Sequence, residues 1–250
     1  MEQATDREVL RVTGADRENF LQGLVSNDIS AAQQGPVYAA LMTPQGKYLA
    51  DFFILAADGA LLIDVSADLA DALERRLSLY KLRADVAIER TRMPVWRGLG
   101  VPPEGAHPDP RHPALGWRRY GAGAPSGEAA DWEAIRVTHC IPESGVELIP
   151  NETFILEAGF ERLNGVDFHK GCYVGQEVVS RMKRKTALAK GLVTVEVDGA
   201  APVGTPIMSG EREAGTLYTQ AHGNGIAFLR FNRAGGAMTA GEARVRWRDG

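Results

Sequence analysis

The last 60 residues alternate short apolar runs with glycines, and this pattern restricts the fold more than any other feature of the chain. Alternation of apolar and polar side chains is typical of half-buried strands, and glycine between such runs permits tight turns. Several short strands within so short a segment favour a closed or sandwiched sheet. We therefore predict a small β-barrel over residues 191–250. Its strands are expected near 192–197, 214–218, 225–231 and 243–247.

The first 100 residues show the features of a mixed α+β unit. Turn signals at Thr43-Pro44-Gln45-Gly46 and Asp58-Gly59 separate extended apolar runs, which predicts an antiparallel meander. Apolar residues at helical spacing predict one helix on either side of that meander. The predicted strands lie at 38–42, 47–55 and 61–65, and the predicted helices lie at 13–25 and 67–83.

Residues 101–128 separate this unit from a second one. Six of the 13 prolines lie between 102 and 125, interleaved with glycines, and so many prolines predict an irregular loop or linker. Residues 129–190 then read as a second α+β part. Within it we expect a short element at 132–137, a strand at 146–149 and a helix from Asn151 to about residue 163.

Composition excludes several classes of protein. The charge is 28 − 32 = −4, which excludes a globally basic nucleic-acid or membrane-surface protein. The two cysteines are too few for a disulfide scaffold and indicate a reducing compartment, so we expect a cytoplasmic protein. The five histidines lack metal-ligand spacing, and no apolar run is long enough to cross a membrane. We expect a monomer without a metal site.

The segment 170–190 contains the densest chemistry. It has six basic side chains and one acid, a balance of 6 − 1 = +5, and it includes Cys172. Neighbouring cations such as Lys170 and Arg181 favour the thiolate form of a cysteine, whereas Glu177 opposes it. A lone cysteine is also typical of a small buried hydrophobe, and a run of charges is typical of a solvated face. Spacing alone leaves both interpretations open.

The octamer Lys-Gly-Cys-Tyr-Val-Gly-Gln-Glu at 170–177 resembles the K-G-C-Y-x-G-Q-E signature of the YgfZ-type folate-binding proteins, relatives of the glycine-cleavage T-protein, an aminomethyltransferase. The resemblance implies a three-part ring around a central tetrahydrofolate channel, followed by the barrel. It also implies a role in maintaining iron–sulfur enzymes, with links in some members to tRNA modification. Further segments similar to the family are 14–17, 20–23, 26–28, 43–47 with Asp51, and 141–145.

The resemblance also assigns candidate site residues. Cys172 is the expected essential thiol, and Asp51 is the residue expected to face the reactive nitrogen of tetrahydrofolate, whose tail is free or polyglutamylated. A buried aspartate that is hydrogen-bonded to backbone amides is the alternative for Asp51. A carboxylate such as Glu157 can accept the paired N–H groups of a pterin, and the alternative for Glu157 is a solvent-facing residue of a helix. The residues expected to contact the folate are Asn27, Asp51, Glu157, Lys170, Tyr173, Gln176, Glu177 and Arg181.

Three functions remain open on the sequence alone. The first is a folate-binding factor for iron–sulfur enzymes or their assembly proteins, which needs the Cys172 thiol. The second is a folate-dependent one-carbon transferase, which uses Asp51 and needs no thiol. The third is an RNA-binding protein of tRNA modification that contacts phosphates through residues 181–190, and it is the weakest of the three. The sequence does not decide whether a reaction is catalysed.

Overall fold

The computed structural model describes residues 1–124, 126, 129–184 and 187–248. In these ranges there are a five-stranded sheet, a four-stranded sheet and a closed six-stranded barrel. The strands are β1 Glu2–Gln3, β2 Arg7–Thr13, β3 Val37–Met42, β4 Tyr48–Ala57, β5 Ala60–Ser66, β6 Ala87–Arg90, β7 Val95–Gly98, β8 Ala106–Pro108, β9 Trp117–Tyr120, β10 Lys190–Asp198, β11 Thr205–Ser209, β12 Arg212–Ala221, β13 Asn224–Arg230, β14 Met238–Ala240 and β15 Ala243–Arg246. The α-helices are α1 Arg17–Gln22, α2 Ala67–Lys81, α3 Trp132–His139 and α4 Gln176–Lys183, and the 3-10 helices are Ile29–Gln33 and Pro113–Leu115.

The five-stranded sheet has the order β3-β4-β5-β2-β6 and separates two apolar cores. The first core includes Leu73 of α2, and the second includes Phe160 of the second part. Along β3, Ala39 and Leu41 face the first core, whereas Tyr38 and Ala40 face the second. Because both faces are covered, the strands contain nearly continuous apolar runs. The predicted meander is confirmed, and so is the helix α2. The predicted helix at 13–25 shortens to α1, since the chain through Thr13 pairs with β5 and β6.

The four-stranded sheet has the order β1-β7-β9-β8. Two of its strands, β8 and β9, lie in the segment 101–128, where we predicted an irregular loop or linker. That interpretation is wrong for these residues, because Pro108 lies at the end of β8 and the pairing of β9 with β7 and β8 is intact. The rest of the prediction for this segment includes residues 125, 127 and 128, which lie outside the described residues.

The second part contains fewer regular elements than the sequence predicts. The element at 132–137 is the helix α3, but the segment from Asn151 to residue 163 forms consecutive turns and no α-helix. Asn151 has φ 66° and Gly159 has φ 79°, values that an α-helix does not contain. The predicted strand at 146–149 is reduced to a single bridge between Ser144 and Leu148. The apolar spacing reflects burial of these turns in the second core instead.

The predicted barrel is confirmed by the closed order β10-β13-β12-β11-β14-β15. Its residues 249 and 250 are not described. A buried network joins the barrel to the second part, since Glu147 accepts a hydrogen bond from the Thr219 hydroxyl at 2.5 Å and pairs with Arg136 at 3.1 Å. No helix of the described ranges is long and apolar enough to cross a bilayer.

Candidate functional site

Residues 170–175, which we call the thiol loop, present Cys172 on the surface. Gly171 and Cys172 are exposed, whereas Lys170 and Tyr173 on either side are buried. At the downstream end, Gly175 has φ 84°, and a Cβ atom there would lie 2.8 Å from the Thr43 carbonyl oxygen. The loop therefore needs glycine at this point in order to pack against the turn at 43–46. Cys172 lies in an exposed stretch between two packed ends.

Lys170 points away from the thiol and into the first part of the chain. Its ammonium group donates to three backbone carbonyls, of Gln22 at 2.9 Å, Val25 at 2.7 Å and Asn27 at 2.8 Å. Burial lowers the pKa of Lys170 to about 8, although Asp28 and Asp167 act in the opposite direction. All three donors of the ammonium are thereby used inside the protein.

Asn27 contacts backbone as well. Its side-chain amide donates to the carbonyls of Tyr38 at 2.8 Å and Asn164 at 2.7 Å. The neighbouring Ser26 hydroxyl donates to the Gly165 carbonyl at 2.6 Å. The turn at 26–28 thus holds residues 164–165, which precede the thiol loop, by hydrogen bonds. The Ser26 hydroxyl and the Asn27 amide are used in these bonds.

The remaining candidates within residues 170–181 are Tyr173 in the thiol loop and three residues of helix α4, which follows the loop. Tyr173 is buried in the second core, and this burial raises the pKa of Tyr173 to about 12. Gln176 begins helix α4 and donates weakly to the Gly171 carbonyl at 3.4 Å. Glu177 and Arg181 are exposed on α4. Tyr173 and Gln176 therefore lie within the thiol loop or against it, whereas Glu177 and Arg181 lie farther along α4. Lys185, which belongs to the same basic run, lies outside the described residues.

Asp51 lies on β4, away from the thiol loop. It lines a cleft, which we call the central cleft, together with Arg7, Arg111, Arg118 and Ser144. Asp51 is buried and accepts hydrogen bonds from three hydroxyl groups, of Tyr38 at 3.0 Å, Tyr48 at 2.6 Å and Ser144 at 2.6 Å. Burial, reinforced by the Asp51 carboxylate, raises the pKa of both tyrosines, so their hydroxyls remain donors. The predicted alternative, a hydrogen-bonded buried acid, describes this environment, except that hydroxyls replace backbone amides.

A bulge in β4 creates this arrangement. Met42 pairs with Tyr48 and Leu41 pairs with Ala50, so one extra residue, Leu49, lies between the two pairs. Without the bulge, Tyr48 and Asp51 would face opposite sides of the strand, because side chains alternate along a strand. The bulge turns both toward the second core.

Three arginines occupy the central cleft around the ring of Phe53. The guanidinium carbons of Arg118, Arg111 and Arg7 lie 4.0, 4.9 and 5.5 Å from the ring centroid. Two buried aspartates pair with them: Asp64 contacts Arg118 at 2.6 Å and Arg7 at 2.7 Å, and Asp109 contacts Arg111 at 2.9 Å. The three arginines carry one more charge than the two aspartates paired with them, and all three stack on an aromatic face.

Burial alone would raise the pKa values of these aspartates, but the guanidinium groups more than offset it. The pKa of Asp64 lies below its ordinary value because of Arg118 and Arg7, and that of Asp109 because of Arg111 and Arg118. Both carboxylates are therefore charged at neutral pH, as their partners are.

The free volume of the central cleft is about 50 Å³. A water molecule occupies about 30 Å³ of liquid, whereas pockets for small organic ligands usually measure about 300–1,000 Å³. A pterin therefore does not fit the cleft while Arg111 and Arg118 stack on Phe53. With these side chains in place, the free space beside Asp51 is narrower than the open channel that the resemblance implies.

Glu157 lies outside the central cleft, facing the barrel. Its carboxylate pairs with Lys190 at 3.4 Å, and its backbone carbonyl accepts a hydrogen bond from Leu192 at 2.8 Å. The structure therefore does not bring Glu157 together with Asp51. The second cysteine, Cys140, is buried, and this burial raises the pKa of its thiol to about 11.

Sequence reasoning missed most of the residues that surround Asp51. Tyr38 was detectable, because it lies on the same face of β3 as Ala40, the residue that pairs with Asp51. Arg111 and Arg118 come from distant segments that nothing local in the sequence marks. Ser144 lies in the segment 141–145, which resembles the family, but the sequence does not show its contact with Asp51. Within the described ranges, no group of three or more potential His, Cys, Asp or Glu ligands could hold a metal ion.

Comparison with known proteins defines the class of the chain. Residues 190–249 match the family model "CAF17, C-terminal beta-barrel domain". The fold matches the crystal structure of the glycine cleavage system aminomethyltransferase T from Bartonella henselae with a TM-score of 0.73 and 12% identity, over 97% of this chain and 82% of that one. The chain thus has an aminomethyltransferase-like fold that ends in a CAF17-type barrel, which confirms the predicted fold class.

Similarity to particular proteins narrows the class further. The chain is 31% identical to the mitochondrial iron–sulfur cluster assembly factor IBA57 homolog of Mycosarcoma maydis, over 75% of this chain and 54% of the relative. The mouse IBA57 is 30% identical over 78% of this chain and 66% of the mouse protein. The human IBA57 is 27% identical over 89% of this chain and 75% of the human protein. The chain is a relative of the IBA57 family, although it spans only 54% of the Mycosarcoma maydis protein and 66% of the mouse protein. That the chain belongs to the YgfZ-type branch of these proteins stays a prediction.

The expected cytoplasmic location is wrong by this comparison. The fungal, mouse and human relatives are all named as mitochondrial proteins. The expectation rested on two unpaired cysteines, and these indicate a reducing environment without distinguishing one reducing compartment from another.

Proposed function

We propose that the chain supports the assembly of iron–sulfur proteins through the thiol of Cys172. The observation that carries the proposal is the exposure of this thiol on a loop whose two ends are packed against the first part of the chain. The names of the IBA57 relatives, which describe iron–sulfur cluster assembly factors, support the same function.

The thiol acts as one ligand of a cluster that a partner protein also holds. Iron–sulfur clusters usually take four protein ligands, so a single cysteine needs ligands from an iron–sulfur assembly protein or a client enzyme. Binding replaces the S–H bond of Cys172 with an S–Fe bond, and the proton passes to water. An exposed and fixed sulfur suits such a shared site, because the partner must reach it and find it in a constant position.

Replacement of each cysteine by serine tests the proposal. Cells that lack the protein are supplied with the wild type, the Cys172→Ser variant or the Cys140→Ser variant, and the activities of iron–sulfur enzymes are measured. We expect Cys172→Ser to fail, because a hydroxyl is a poor iron ligand at neutral pH, and Cys140→Ser to restore activity. Full activity with Cys172→Ser would refute the role of the thiol.

A second candidate, the one-carbon transferase with tetrahydrofolate, is favoured by the position of Asp51 on the cleft of an aminomethyltransferase-like fold. It requires Arg111 and Arg118 to leave Phe53 and their aspartates before a pterin can enter. Isothermal titration with tetrahydrofolate tests whether the cleft takes up folate, and the Cys172→Ser variant separates the transferase, which needs no thiol, from the assembly factor. We expect no heat of binding at millimolar folate, whereas binding that Asp51→Asn abolishes would support the transferase.

The RNA-binding alternative receives less support. In the basic run, Lys183 pairs with Glu161 and Lys190 pairs with Glu157, which reduces the charge available to phosphates. Arg181 on α4 and Arg184, directly after the helix, are exposed.

A further inference from the structure

The upstream end of the thiol loop is held by a single charged group. The Lys170 ammonium lies within 2.9 Å of three carbonyl oxygens, which belong to Gln22, Val25 and Asn27. Gln22 is the last residue of helix α1, and the other two acceptors lie three and five residues after it. Carbonyls at the carboxyl end of a helix lack partners within the helix and carry a partial negative charge.

Helix α1 has no basic residue of its own in its last turn. Lys170, which is 148 residues from Gln22 in the sequence, supplies that cation. Its ammonium has three N–H donors, one for each of the three carbonyl acceptors. The site is buried, so water competes weakly for these hydrogen bonds. The contact therefore joins the thiol loop to the first part of the chain at one defined point.

The turn that accepts this lysine is itself rigidly bonded. Ser26 accepts a hydrogen bond from the Ala40 amide at 2.8 Å, and its carbonyl accepts one from the Asp167 amide at 3.0 Å. Asp28 accepts hydrogen bonds from Ser30 and Gln22, both at 3.0 Å. Lys170 thus binds to a part of the molecule that is fixed independently of the loop.

We propose that Lys170 is a positioning residue for Cys172, whose ammonium fixes the upstream end of the thiol loop by binding the Gln22, Val25 and Asn27 carbonyls. This inference rests on the proposed function of the thiol. Cys172 is two residues downstream, and Gly175 fixes the other end of the loop. Without the Lys170 ammonium, the nearest upstream anchor is the Asp167 amide bonded to the Ser26 carbonyl, so the anchored point moves from two to five residues before the sulfur. The lysine itself contacts neither the cluster nor the partner.

The first test measures the loop directly by hydrogen exchange in the purified protein. In Lys170→Met, we expect the hydrogen-bonded amides at the upstream end of the loop, those of Asp167 and His169, to exchange about tenfold faster than in the wild type, the equivalent of one charged hydrogen bond. Lys183→Met is the matched control, since it removes the same charge from an exposed ion pair. Unchanged exchange of these two amides in Lys170→Met would overturn the proposal, and so would an increase spread evenly over the whole chain.

Chemical rescue separates the ammonium from general packing. Propylammonium added to Lys170→Ala is expected to restore slow exchange of the same two amides, because it offers the same three donors. Tetramethylammonium at equal ionic strength has the charge but no N–H group, and we expect no effect. Equal effects of the two ions would overturn the role of the carbonyl cage.

Enzyme activities in cells then separate this inference from the proposed function. We expect Lys170→Met to lower the activities of iron–sulfur enzymes about tenfold while the protein accumulates normally. Full activity together with fast exchange of these amides would overturn the positioning role even if Cys172 remains essential. Full activity of Cys172→Ser would instead refute the proposed function and leave the exchange result standing.

Discussion

The thiol loop and the central cleft contain the two residues that the sequence marks for chemistry, and their surroundings differ. The Cys172 thiol is exposed, whereas the Asp51 carboxylate is buried and accepts three hydroxyl hydrogen bonds. Around Asp51, arginines are paired with aspartates and stacked on Phe53. A polar group whose bonds are already satisfied stabilises a fold, whereas an exposed and fixed nucleophile remains able to bind a partner. The following predictions test that contrast.

The largest effect is expected in the central cleft. Arg118→Met removes a guanidinium that pairs with Asp64 and Asp109, and it leaves buried carboxylates with fewer partners. We expect a loss of about 3–5 kcal/mol in the free energy of unfolding, measured by urea titration. Arg244→Met, which removes an exposed arginine paired with Asp198, is expected to change it by less than about 0.5 kcal/mol. Similar losses in both variants would show that the cleft is not a stabilising core.

Acid sensitivity follows from the same cluster. The folded-state pKa of Asp64 is depressed, so its contribution to stability is present above the ordinary value of 3.8 and is lost as the pH falls below it. We expect the free energy of unfolding to decrease below pH 4 less steeply in Asp64→Asn than in the wild type. Asp198→Asn, at an exposed position, should keep the wild-type slope. Parallel curves for wild type and Asp64→Asn would contradict the pairing.

Alkylation compares the two cysteines. Cys172 is exposed, whereas Cys140 is buried with its pKa raised to about 11. With iodoacetamide at pH 7–8, we expect Cys172 to react at least about tenfold faster, as resolved by mass spectrometry of peptides. Faster modification of Cys140 would mean that the thiol loop covers its own cysteine in solution.

The smallest effect concerns the stability contributed by the thiol. Because Cys172 is exposed, Cys172→Ser should change the free energy of unfolding by less than about 0.5 kcal/mol. Thermal unfolding of the two proteins provides the measurement. A loss above 1 kcal/mol would indicate that the side chain is structural, which the exposed position does not explain.

The sequence predicted the periodic elements and missed the long-range contacts. The meander and the barrel follow from alternation and turn residues, which act locally. The turns after Asn151 show helical spacing because they bury one face, and only their left-handed residues exclude the helix. Residues 106–108 form a strand because β9 is available to pair with them, a contact that local composition does not encode.

The candidate site illustrates the same limit. The octamer correctly marks a structural unit around Cys172, but Lys170 and Asn27 bind backbone carbonyls of their own chain, a role that motif spacing does not distinguish from ligand binding. Asp51 was found from its motif, whereas its partner Ser144 lies 93 residues away. The arginines that close the cleft come from strands and turns whose proximity only the fold reveals.

The central claim is that function depends on the exposed thiol and not on the central cleft. The most direct measurement compares Cys172→Ser with Asp51→Asn in cells that lack the protein, with iron–sulfur enzyme activity as the readout and thermal unfolding as a check that each variant is folded. We expect Asp51→Asn to restore activity in proportion to its folded amount and Cys172→Ser to restore none. Restoration by Cys172→Ser combined with failure of folded Asp51→Asn would contradict the account.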